Sequence, residues 1–319
     1  MKFNTAAWRM TCKILVGVGV VMMVMVLGVL LTFSSAGLEL PHVEVGALPP
    51  AFSPAEMSIS ALPTGSYEGR AALVFRGGSW NDIRHLSTTA LLVRHPKGNL
   101  LIDAGMGSNV DRHIELLPSM QVTPHIKGEP AVAQLAANGL RPSDLAGVIP
   151  THAHWDHVSG IDDLEGVPVM ESAAGKAFIE TRRPDTAVMN SFARVNYKIY
   201  DFEGGSYLGF SKSHDVWGDG SIVIVPAPGH TPDSIVVFLT LPSQTRYAII
   251  GDLVFQMEGL DLPAEKPWLM RRLIGEYDKA ALEGIALVRA AGKKYAIHPI
   301  PAHDAAAFRA IPVFPASAR

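Results

Sequence analysis

A short segment rich in imidazole and carboxylate groups constrains this chain more than any other feature. Residues 151–157 are Thr-His-Ala-His-Trp-Asp-His, so three histidines and one aspartate fall within six positions. These side chains resist burial unless they are paired or bound to a cation, and zinc and related divalent ions accept both as ligands. Packing alone gives no reason to crowd them together. The pattern therefore indicates a metal site, and the alternative is a surface loop rich in histidine.

The same order of apolar strand and ligand-type side chain recurs along the chain. Strand-like runs precede each such group: 145–150 before the histidine cluster, 221–226 before His230, 247–251 before Asp252, and 294–297 before His303. Strand ends that meet at one edge of a sheet are common places for sites in α/β proteins. We therefore predict that these segments converge on one point.

The motifs His-x-His-x-Asp-His, Pro-Gly-His-Thr, Gly-Asp and Ala-His-Asp resemble, in this order, those of the metallo-beta-lactamase-fold hydrolase superfamily. The resemblance runs from about Ala90 to about His303 and includes an opening apolar hairpin with an Asp-x-Gly turn at 103–105. It implies an α/β fold, a four-layer αββα sandwich, here preceded by an N-terminal transmembrane helix. The motifs are specific for the fold, whereas the superfamily includes many chemistries.

The resemblance also implies a site for two metal ions per chain, with zinc expected and iron or manganese as alternatives. The first ion would be bound by His152, His154 and His230, the second by Asp156, His157 and His303, and Asp252 would bridge them. Two such ions lie about 3.5–4 Å apart, and they can share a hydroxide and polarise substrate oxygens. Asp252 would fix this hydroxide, and Asp156 would pass on a proton, so both are candidate catalytic residues.

Several assignments stay open at this stage. Asp103 resembles the carboxylate that orients a ligand imidazole, but a turn-forming residue before Gly105 explains it equally well. His298 competes with His303 for the last ligand position; His303 is preferred because its Ala-His-Asp context resembles the family motif. The remaining histidines lie in polar or loop-like contexts and are predicted to be surface residues: His42, His85, His95, His113, His125 and His214.

Two departures from the family pattern narrow the reaction. Enzymes of this fold that open beta-lactams usually have Cys, or no carboxylate, where Asp252 stands, and the only cysteine, Cys12, lies in the N-terminal apolar segment. The resemblance therefore favours the lactonase and glyoxalase II-like branch. Lactonases that act on acyl-homoserine lactones often have a tyrosine three residues after this Asp, where this chain has Phe255. The candidates to replace that phenol are Tyr197, Tyr200 and Tyr207.

We therefore expect a metal-dependent hydrolase, of lactonase or esterase type, that cleaves an ester, thioester or lactone with a bridging hydroxide. One alternative is an iron-dependent oxidoreductase of the same fold, similar to the persulfide dioxygenases. Another is a membrane-tethered binding protein that has lost catalysis. The substrate is expected to be a small molecule, in a pocket shaped by residues 185–210 with Trp155, Phe255 and Trp268.

The N-terminus predicts a transmembrane helix. Three basic residues precede an uncharged, mostly apolar run at 14–33, and twenty residues form about 30 Å of helix, which crosses a bilayer. Positive charge before the run predicts a cytoplasmic N-terminus and a translocated domain. The small residues at 34–36 also suit signal-peptidase cleavage, but the run exceeds the usual apolar core of signal peptides. In a bacterium the domain would be anchored on the periplasmic side, or released into the periplasm after cleavage.

Composition agrees with a single exported enzyme domain. We predict an anchor or signal peptide at 1–36, a proline-containing linker at 37–67 and the catalytic domain at 68–319, with helices at 129–138, 172–183 and 277–291. The net charge is −3, and removal of the three basic residues before Glu39 leaves −6. This balance argues against nucleic-acid binding, which needs basic patches. With no cysteine pair, the domain must be stable without disulfides.

Overall fold

The structure, a computed structural model, describes residues 5–35, 39–119, 121, 124–262, 264–274, 276 and 278–319. Within these ranges the strands are β1 (Ser58–Arg70), β2 (Ile83–Arg94), β3 (Asn99–Ile102), β4 (His125–Lys127), β5 (Leu145–Ile149), β6 (Val169–Ser172), β7 (Tyr197–Tyr200), β8 (His214–Asp215), β9 (Ile222–Pro226), β10 (Ile235–Thr240), β11 (Arg246–Ile249) and β12 (Ile297–Ile300). The helices are α1 (Thr5–Leu31), α2 (Ala71–Val74), α3 (Val110–Ile114), α4 (Ala131–Ala137), α5 (Trp155–Val158), α6 (Ala173–Ile179), α7 (Ala187–Ser191), α8 (Glu258–Asp261), α9 (Trp268–Ile274) and α10 (Asp278–Tyr295).

The described strands form two sheets. The larger has the order β4-β1-β2-β3-β5-β6-β7, and the smaller has the order β12-β11-β10-β9-β8. In the larger sheet, β1, β2 and β3 pair antiparallel, whereas β3, β5, β6 and β7 are parallel. In the smaller sheet only the pair of β11 and β12 is parallel. Parallel neighbours need crossover connections, and helices supply them.

Helices cover the outer faces of the two sheets. One core cluster joins the inner faces, with Ile102 and Ile149 from the larger sheet and Ile224 and Ile249 from the smaller. A second cluster packs the larger sheet against α4, α6 and α7, and a third packs the smaller sheet against α10. The layers therefore follow the order helix, sheet, sheet, helix, as predicted, and the predicted α/β class is confirmed.

Strand β10 shows why the central strands are continuous apolar runs and do not alternate between apolar and polar residues. All six of its residues are buried. Ile235, Val237 and Leu239 belong to the core between the sheets, whereas Val236 and Phe238 belong to the core beneath α10. A strand covered on both faces has no solvent-facing position, so it needs no polar residue.

The predicted helices at 129–138, 172–183 and 277–291 correspond to α4, α6 and α10, although residue 277 lies outside the described ranges. The strand predicted at 294–297 was wrong in position. Helix α10 continues to Tyr295, and β12 occupies 297–300 instead. Lys293 and Lys294 lie in the last turn of α10, where positive charge interacts favourably with the helix dipole.

The segment predicted as a linker, 37–67, is largely part of the folded domain. Strand β1 begins at Ser58 and pairs with β2 along its whole length, because its residues complete the core of the larger sheet. Residues 39–57 lie against the domain: the Phe52 N–H donates to the Asp219 carbonyl at 2.7 Å, and the Ser53 hydroxyl donates to the Thr240 carbonyl. Residues 36 and 37, where the predicted segments meet, are outside the described ranges.

Helix α1 matches the predicted apolar segment in position and composition. Residues 8–31 are long and apolar enough to cross a bilayer, with a mean hydropathy of 3.0, and this segment is not buried against the domain. Length and composition alone make it a candidate membrane span.

Candidate metal centre

The predicted site residues follow strands that end at one edge of the two sheets. The histidine cluster 152–157 follows β5, and His230 lies in the turn after β9. Asp252 comes three residues after β11, and His303 comes three residues after β12. The two facing sheets therefore bring groups that are far apart in sequence into one cluster, as predicted from the repeated pattern.

Four of these side chains form a first group around one point. The ligand-type atoms of His152, His154, His230 and Asp252 all lie within 4.8 Å of one another. Nδ1 of His154 is 3.0 Å from Nε2 of His152 and 2.9 Å from Nε2 of His230. This donor set, three imidazole nitrogens and one carboxylate oxygen, suits a divalent transition metal.

The second group consists of Asp156, His157 and His303, whose ligand-type atoms also lie within 4.8 Å of one another. Asp252 touches both groups. Its Oδ2 is 3.3 Å from Nε2 of His230, and its Oδ1 is 3.3 Å from Nε2 of His157 and 2.9 Å from Nε2 of His303. Oδ2 is also 3.1 Å from Nε2 of His303. The carboxylate thus contacts the first group through Oδ2 and the second group through both oxygens, which makes Asp252 the candidate for a bridging residue.

Unpartnered atoms at the centre fit a cation. Among the described residues, Nε2 of His157 and Oδ1 of Asp252 are buried atoms without a hydrogen-bond partner. Buried polar atoms are rarely left without a partner unless an ion or water binds them. Nitrogen and oxygen atoms of this kind, directed at a common point, form a donor set for which a divalent cation is the natural partner.

The second ring nitrogen of the candidate ligand histidines contacts a polar partner that orients the imidazole. Nδ1 of His157 lies 2.9 Å from the carboxylate of Asp103, and Nδ1 of His303 donates to the Ser87 carbonyl at 2.9 Å. These contacts fix the tautomer that presents a free Nε2 to the centre. Nδ1 of His230 makes a longer contact, 3.5 Å, with the carboxylate of Glu276.

Electrostatics divide the histidines into two classes. Burial, with the neighbouring histidines, holds the pKa of His152 and of His154 well below the usual range. Burial also lowers the pKa of His230. These three imidazoles are therefore neutral at ordinary pH and have lone pairs available for a cation.

The second group is electrically different because carboxylates surround it. Burial alone would lower the pKa of His157 and of His303, but Asp103 and Asp252 outweigh it for His157, and Asp252 does so for His303, so that both values are raised. Burial would raise the pKa of Asp252, yet the two histidines hold it well below its usual range. This excess of negative charge favours a positive charge at the centre.

Asp103 both forms a turn and orients an imidazole, the two alternatives considered from the sequence. Its backbone has a φ of 55°, a turn conformation that Asp and Asn tolerate better than most residues. Its carboxylate accepts from the Thr151 N–H at 2.6 Å and from the Thr151 hydroxyl at 3.0 Å, and it contacts His157. Gly251, with a φ of 51°, lies against Thr151, where a Cβ would approach the hydroxyl to 2.9 Å. The turn thus places the carboxylate that orients His157.

Lys266 and Glu276 form a buried ion pair that the sequence reasoning missed. Nζ of Lys266 is 2.9 Å from Oε2 of Glu276 and donates to the Asp252 carbonyl at 2.8 Å. Lysine and glutamate are common surface residues, and neither lies in a recognisable motif. No sequence signal distinguished them, because their partners come from distant segments.

A cavity of about 380 Å³ opens beside the histidines. Its polar part includes His154, Asp156, His230 and Asp252, and its walls include Trp155 and Phe255, as predicted. Asp185 also lines it, but among the described residues Trp268 and the segment 186–210 do not. The predicted contribution of that segment was wrong, since its buried aromatics Tyr200, Tyr207 and Phe210 pack in the cores around the sheets.

Tyr67 is the phenol that faces the cavity. Its ring lies 5.3 Å from that of His303, and it lines the cavity together with Asp156. Burial, with the charges of Asp156 and Asp252, holds the pKa of Tyr67 well above its usual range. Tyr67 was predicted to end the linker. Only recognition of β1 as a strand could have indicated Tyr67, and that strand was not recognised from the sequence.

The other histidines differ in part from the prediction. His298 is exposed on β12, whereas His303 is fully buried in the centre. His95 and His113 were predicted at the surface, but both are buried: His95 contacts Asp219 at 3.0 Å, and His113 contacts the Ser159 hydroxyl at 2.9 Å. Each is buried because a polar partner replaces water.

Comparison with known proteins identifies the family. Residues 83–305 match the metallo-beta-lactamase superfamily. The chain belongs to this superfamily. The match includes every residue of both ligand groups.

Relatives and structural neighbours are metal-dependent hydrolases of the same superfamily. An N-acyl homoserine lactonase of Azorhizobium caulinodans is 25% identical over 175 residues, which is 52% of this chain and 65% of that protein. A hydroxyacylglutathione hydrolase of Saccharophagus degradans is 28% identical over 111 residues, 35% of each chain. The alignment thus spans somewhat less than two thirds of the lactonase.

Solved structures share the fold at low sequence identity. An N-acyl homoserine lactone hydrolase with the product N-hexanoyl-L-homoserine bound at its catalytic metal centre has a TM-score of 0.66 at 19% identity, over 82% of this chain and 98% of the other. The dizinc quorum-quenching lactonase AidC has a TM-score of 0.54 at 14% identity, over 81% of this chain and 90% of the other.

Proposed function

We propose that this protein is a dinuclear metal-dependent hydrolase that cleaves an ester, thioester or lactone. One observation carries the proposal: the Asp252 carboxylate contacts both of two adjacent ligand groups, with Oδ2 3.3 Å from His230 and Oδ1 3.3 Å from His157. A residue placed in this way serves two cations rather than one. The relatives described above are hydrolases, which favours hydrolysis over the iron-dependent oxidation considered as an alternative.

The first ion would be held by His152, His154, His230 and Asp252, and the second by Asp156, His157, His303 and the other oxygen of Asp252. Zinc fits these nitrogen-rich groups best, and dizinc lactonases share the fold. When bound, two such ions supply hydroxide at neutral pH and polarise a carbonyl oxygen.

The side chains of this chain would position the substrate and move its proton. Asp156 lies 3.4 Å from Nε2 of His303 and lines the cavity together with Tyr67, so its carboxylate is placed to accept the proton released when water becomes hydroxide and to return it to the leaving oxygen. Because the pKa of Tyr67 is raised, its phenol stays protonated and can donate a hydrogen bond to a substrate oxygen. Trp155 and Phe255 add apolar surface to the cavity walls beside these polar groups.

Lactones are the first substrate class to test. Relatives that align over 65% of their own length are named N-acyl homoserine lactonases. Phe255 replaces the tyrosine that many such lactonases have after the bridging aspartate, and Tyr67 would supply the phenol from β1 instead. Thioesters come next, because hydroxyacylglutathione hydrolase is also a relative.

The same proposal includes the cellular location. Residues 1–36, which include α1, would be retained as a membrane anchor, and the hydrolase domain would lie on the non-cytoplasmic side. Its length, hydropathy and lack of burial favour a membrane span. Release into the periplasm after cleavage is the alternative.

The decisive experiment combines metal analysis with a substrate panel. The full chain, purified in detergent without added metal, is compared with Asp252→Ala and with Asp261→Ala, an exposed aspartate on α8 as matched control. We expect two zinc ions per chain and hydrolysis of lactones or thioesters for the unaltered protein and the control, and loss of one ion and of turnover for Asp252→Ala. Two ions and full activity in Asp252→Ala would refute the bridging role. A single iron with thiol-dependent oxygen uptake would support the oxidoreductase instead.

A further inference from the structure

The outer part of the cavity is apolar, in contrast with its floor. Its apolar lining consists of Leu73 and Leu117 together with Leu269, Met270 and Leu273 of α9. The Gln121 side chain donates to the Leu273 carbonyl at 3.0 Å, which ties α9 to the loop that carries Leu117. A small polar substrate needs no such lining, whereas an aliphatic chain does.

Large apolar side chains surround this mouth on the protein surface. Leu269 lines the cavity and is 38% exposed, and Trp268, beside it on α9, is exposed to the same degree. Leu116, adjacent to Leu117, is also exposed, and so is Trp80 in the loop that follows Leu73. Single exposed apolar residues are ordinary, but a group around a cavity mouth marks a surface that meets an apolar partner.

The end of α1 contacts this same surface. The rings of Phe33 and Trp80 lie 5.2 Å apart, the Gly77 N–H donates to the Phe33 carbonyl at 2.9 Å, and Arg76 Nε donates to the Ser34 carbonyl. These contacts lie in the loop 71–82, which joins the paired ends of β1 and β2 at the edge of the sheet that carries the metal centre. The helix therefore ends beside the site and not at the opposite end of the domain.

A chain of contacts holds the end of α1 and the mouth together. The Arg76 N–H donates to the Glu265 carbonyl at 3.0 Å, and its guanidinium lies 3.3 Å from the Glu265 carboxylate. Glu265 in turn pairs with Arg271 of α9 at 3.2 Å. Because a membrane-spanning α1 fixes the level of Ser34 near the bilayer surface, these contacts place α9 and Trp80 at that level too.

We propose that the mouth of the cavity rests on the phospholipid bilayer, so that the substrate is an amphiphile whose aliphatic chain stays in the lipid while its head enters the site. The hydrolysis of that head rests on the proposed function, and the orientation rests on α1 remaining attached. Trp268, with the Arg272 guanidinium 5.8 Å from its ring, suits an interfacial position, where tryptophan and arginine side chains are favoured.

Tryptophan quenching tests the orientation without any turnover. The full chain is reconstituted into phosphatidylcholine vesicles that contain brominated acyl chains, which quench only tryptophans in contact with lipid. Trp268→Phe and Trp80→Phe are compared with Trp217→Phe, since Trp217 precedes β9 at the opposite end of the strands. We expect the quenched fraction to fall in the first two variants and to rise in the control. A rise in all three variants would overturn the proposal.

A second quenching experiment adds a tryptophan instead, so the native tryptophans and their contacts are kept. Leu269→Trp is compared with Val313→Trp, which lies beside Ala61 near the start of β1 and is more exposed, at 55%. We expect Leu269→Trp to raise the quenched fraction and Val313→Trp to lower it. Equal effects would contradict a mouth that faces the bilayer. If quenching behaves as expected but no lactone or thioester is hydrolysed, the proposed reaction fails and the orientation stands.

Discussion

Lys266 and Glu276 form an ion pair directly behind the candidate metal centre. Their charged atoms lie 2.9 Å apart, and both side chains are only 2% exposed. Lys266 also donates to the Asp252 carbonyl, and Glu276 contacts Nδ1 of His230. Burial would raise the pKa of Glu276, but Lys266 and His230 lower it to about 2. The pair therefore supports two groups of the centre from outside the cavity.

Glu276→Gln should weaken the first metal position and the fold together. The change removes the negative partner of a buried ammonium, which typically costs about 3–5 kcal/mol, and it removes the carboxylate that orients His230, which typically costs about 10–100-fold in metal affinity. Zinc titration with a competing chelator and urea unfolding measure the two effects. Glu283→Gln, an exposed glutamate on α10, is the matched control. Unchanged zinc affinity in Glu276→Gln would contradict the orienting role.

Asp103→Asn should separate the charge of this residue from its turn conformation. Asparagine tolerates a positive φ, so the backbone at 55° is kept, whereas the carboxylate that raises the pKa of His157 is lost. We expect the affinity for the second ion to fall about 10–100-fold while the first is retained. Metal content at limiting zinc then approaches one ion per chain. Asp103→Ala should in addition lower the free energy of unfolding by about 1–2 kcal/mol through backbone strain.

The sequence was sufficient for residues whose chemistry is local. His152, His154 and His157 crowd one short segment, and apolar runs before His230 and Asp252 indicate strands on their own. Because strand ends meet at sheet edges, the convergence of these side chains could be predicted without knowing which strands pair. The structure brings all seven side chains into two adjacent groups, and their assignment as metal ligands stays a prediction.

Residues that depend on long-range pairing were not predictable in this way. Tyr67 faces the cavity only because β1 pairs with both β2 and β4, and β1 itself contains two glycines and a proline that conceal a strand. Lys266 and Glu276 are ordinary surface residue types until the fold buries them together. Their function arises from tertiary contacts, on which local composition carries no information.

Tyr67→Phe should lower turnover without changing metal content. The phenol faces the cavity and stays protonated, since its pKa is raised well above 10. Loss of one donor to a developing negative charge typically costs about 10²–10³ in kcat. The pH profile should keep its shape between about pH 6 and 9, because the phenol does not titrate there. Tyr197→Phe, which lies on β7 away from the cavity, serves as control. A parallel loss of zinc would show instead that Tyr67 acts through Asp156.

Asp233→Asn should raise stability at neutral pH. Asp233 is buried, neither of its carboxylate oxygens has a hydrogen-bond partner among the described residues, and burial raises its pKa to about 6. A carboxyl whose pKa is raised on folding contributes stability that is complete below about pH 4 and lost between about pH 4 and 6. A rise of about two units corresponds to at most about 3 kcal/mol.

The measurement is the difference in unfolding free energy between Asp233→Asn and the unaltered protein, at fixed zinc, from pH 4 to 7. Subtraction removes the titration of the metal-centre histidines, which both proteins share. We expect the difference to grow in favour of the variant as pH rises, and to level off above pH 6. Glu171, whose pKa is raised by burial and by Asp233, should then ionise more easily. Asp201→Asn, an exposed aspartate, should give a flat difference. A flat difference for Asp233→Asn as well would mean that its carboxylate is fully compensated in the fold.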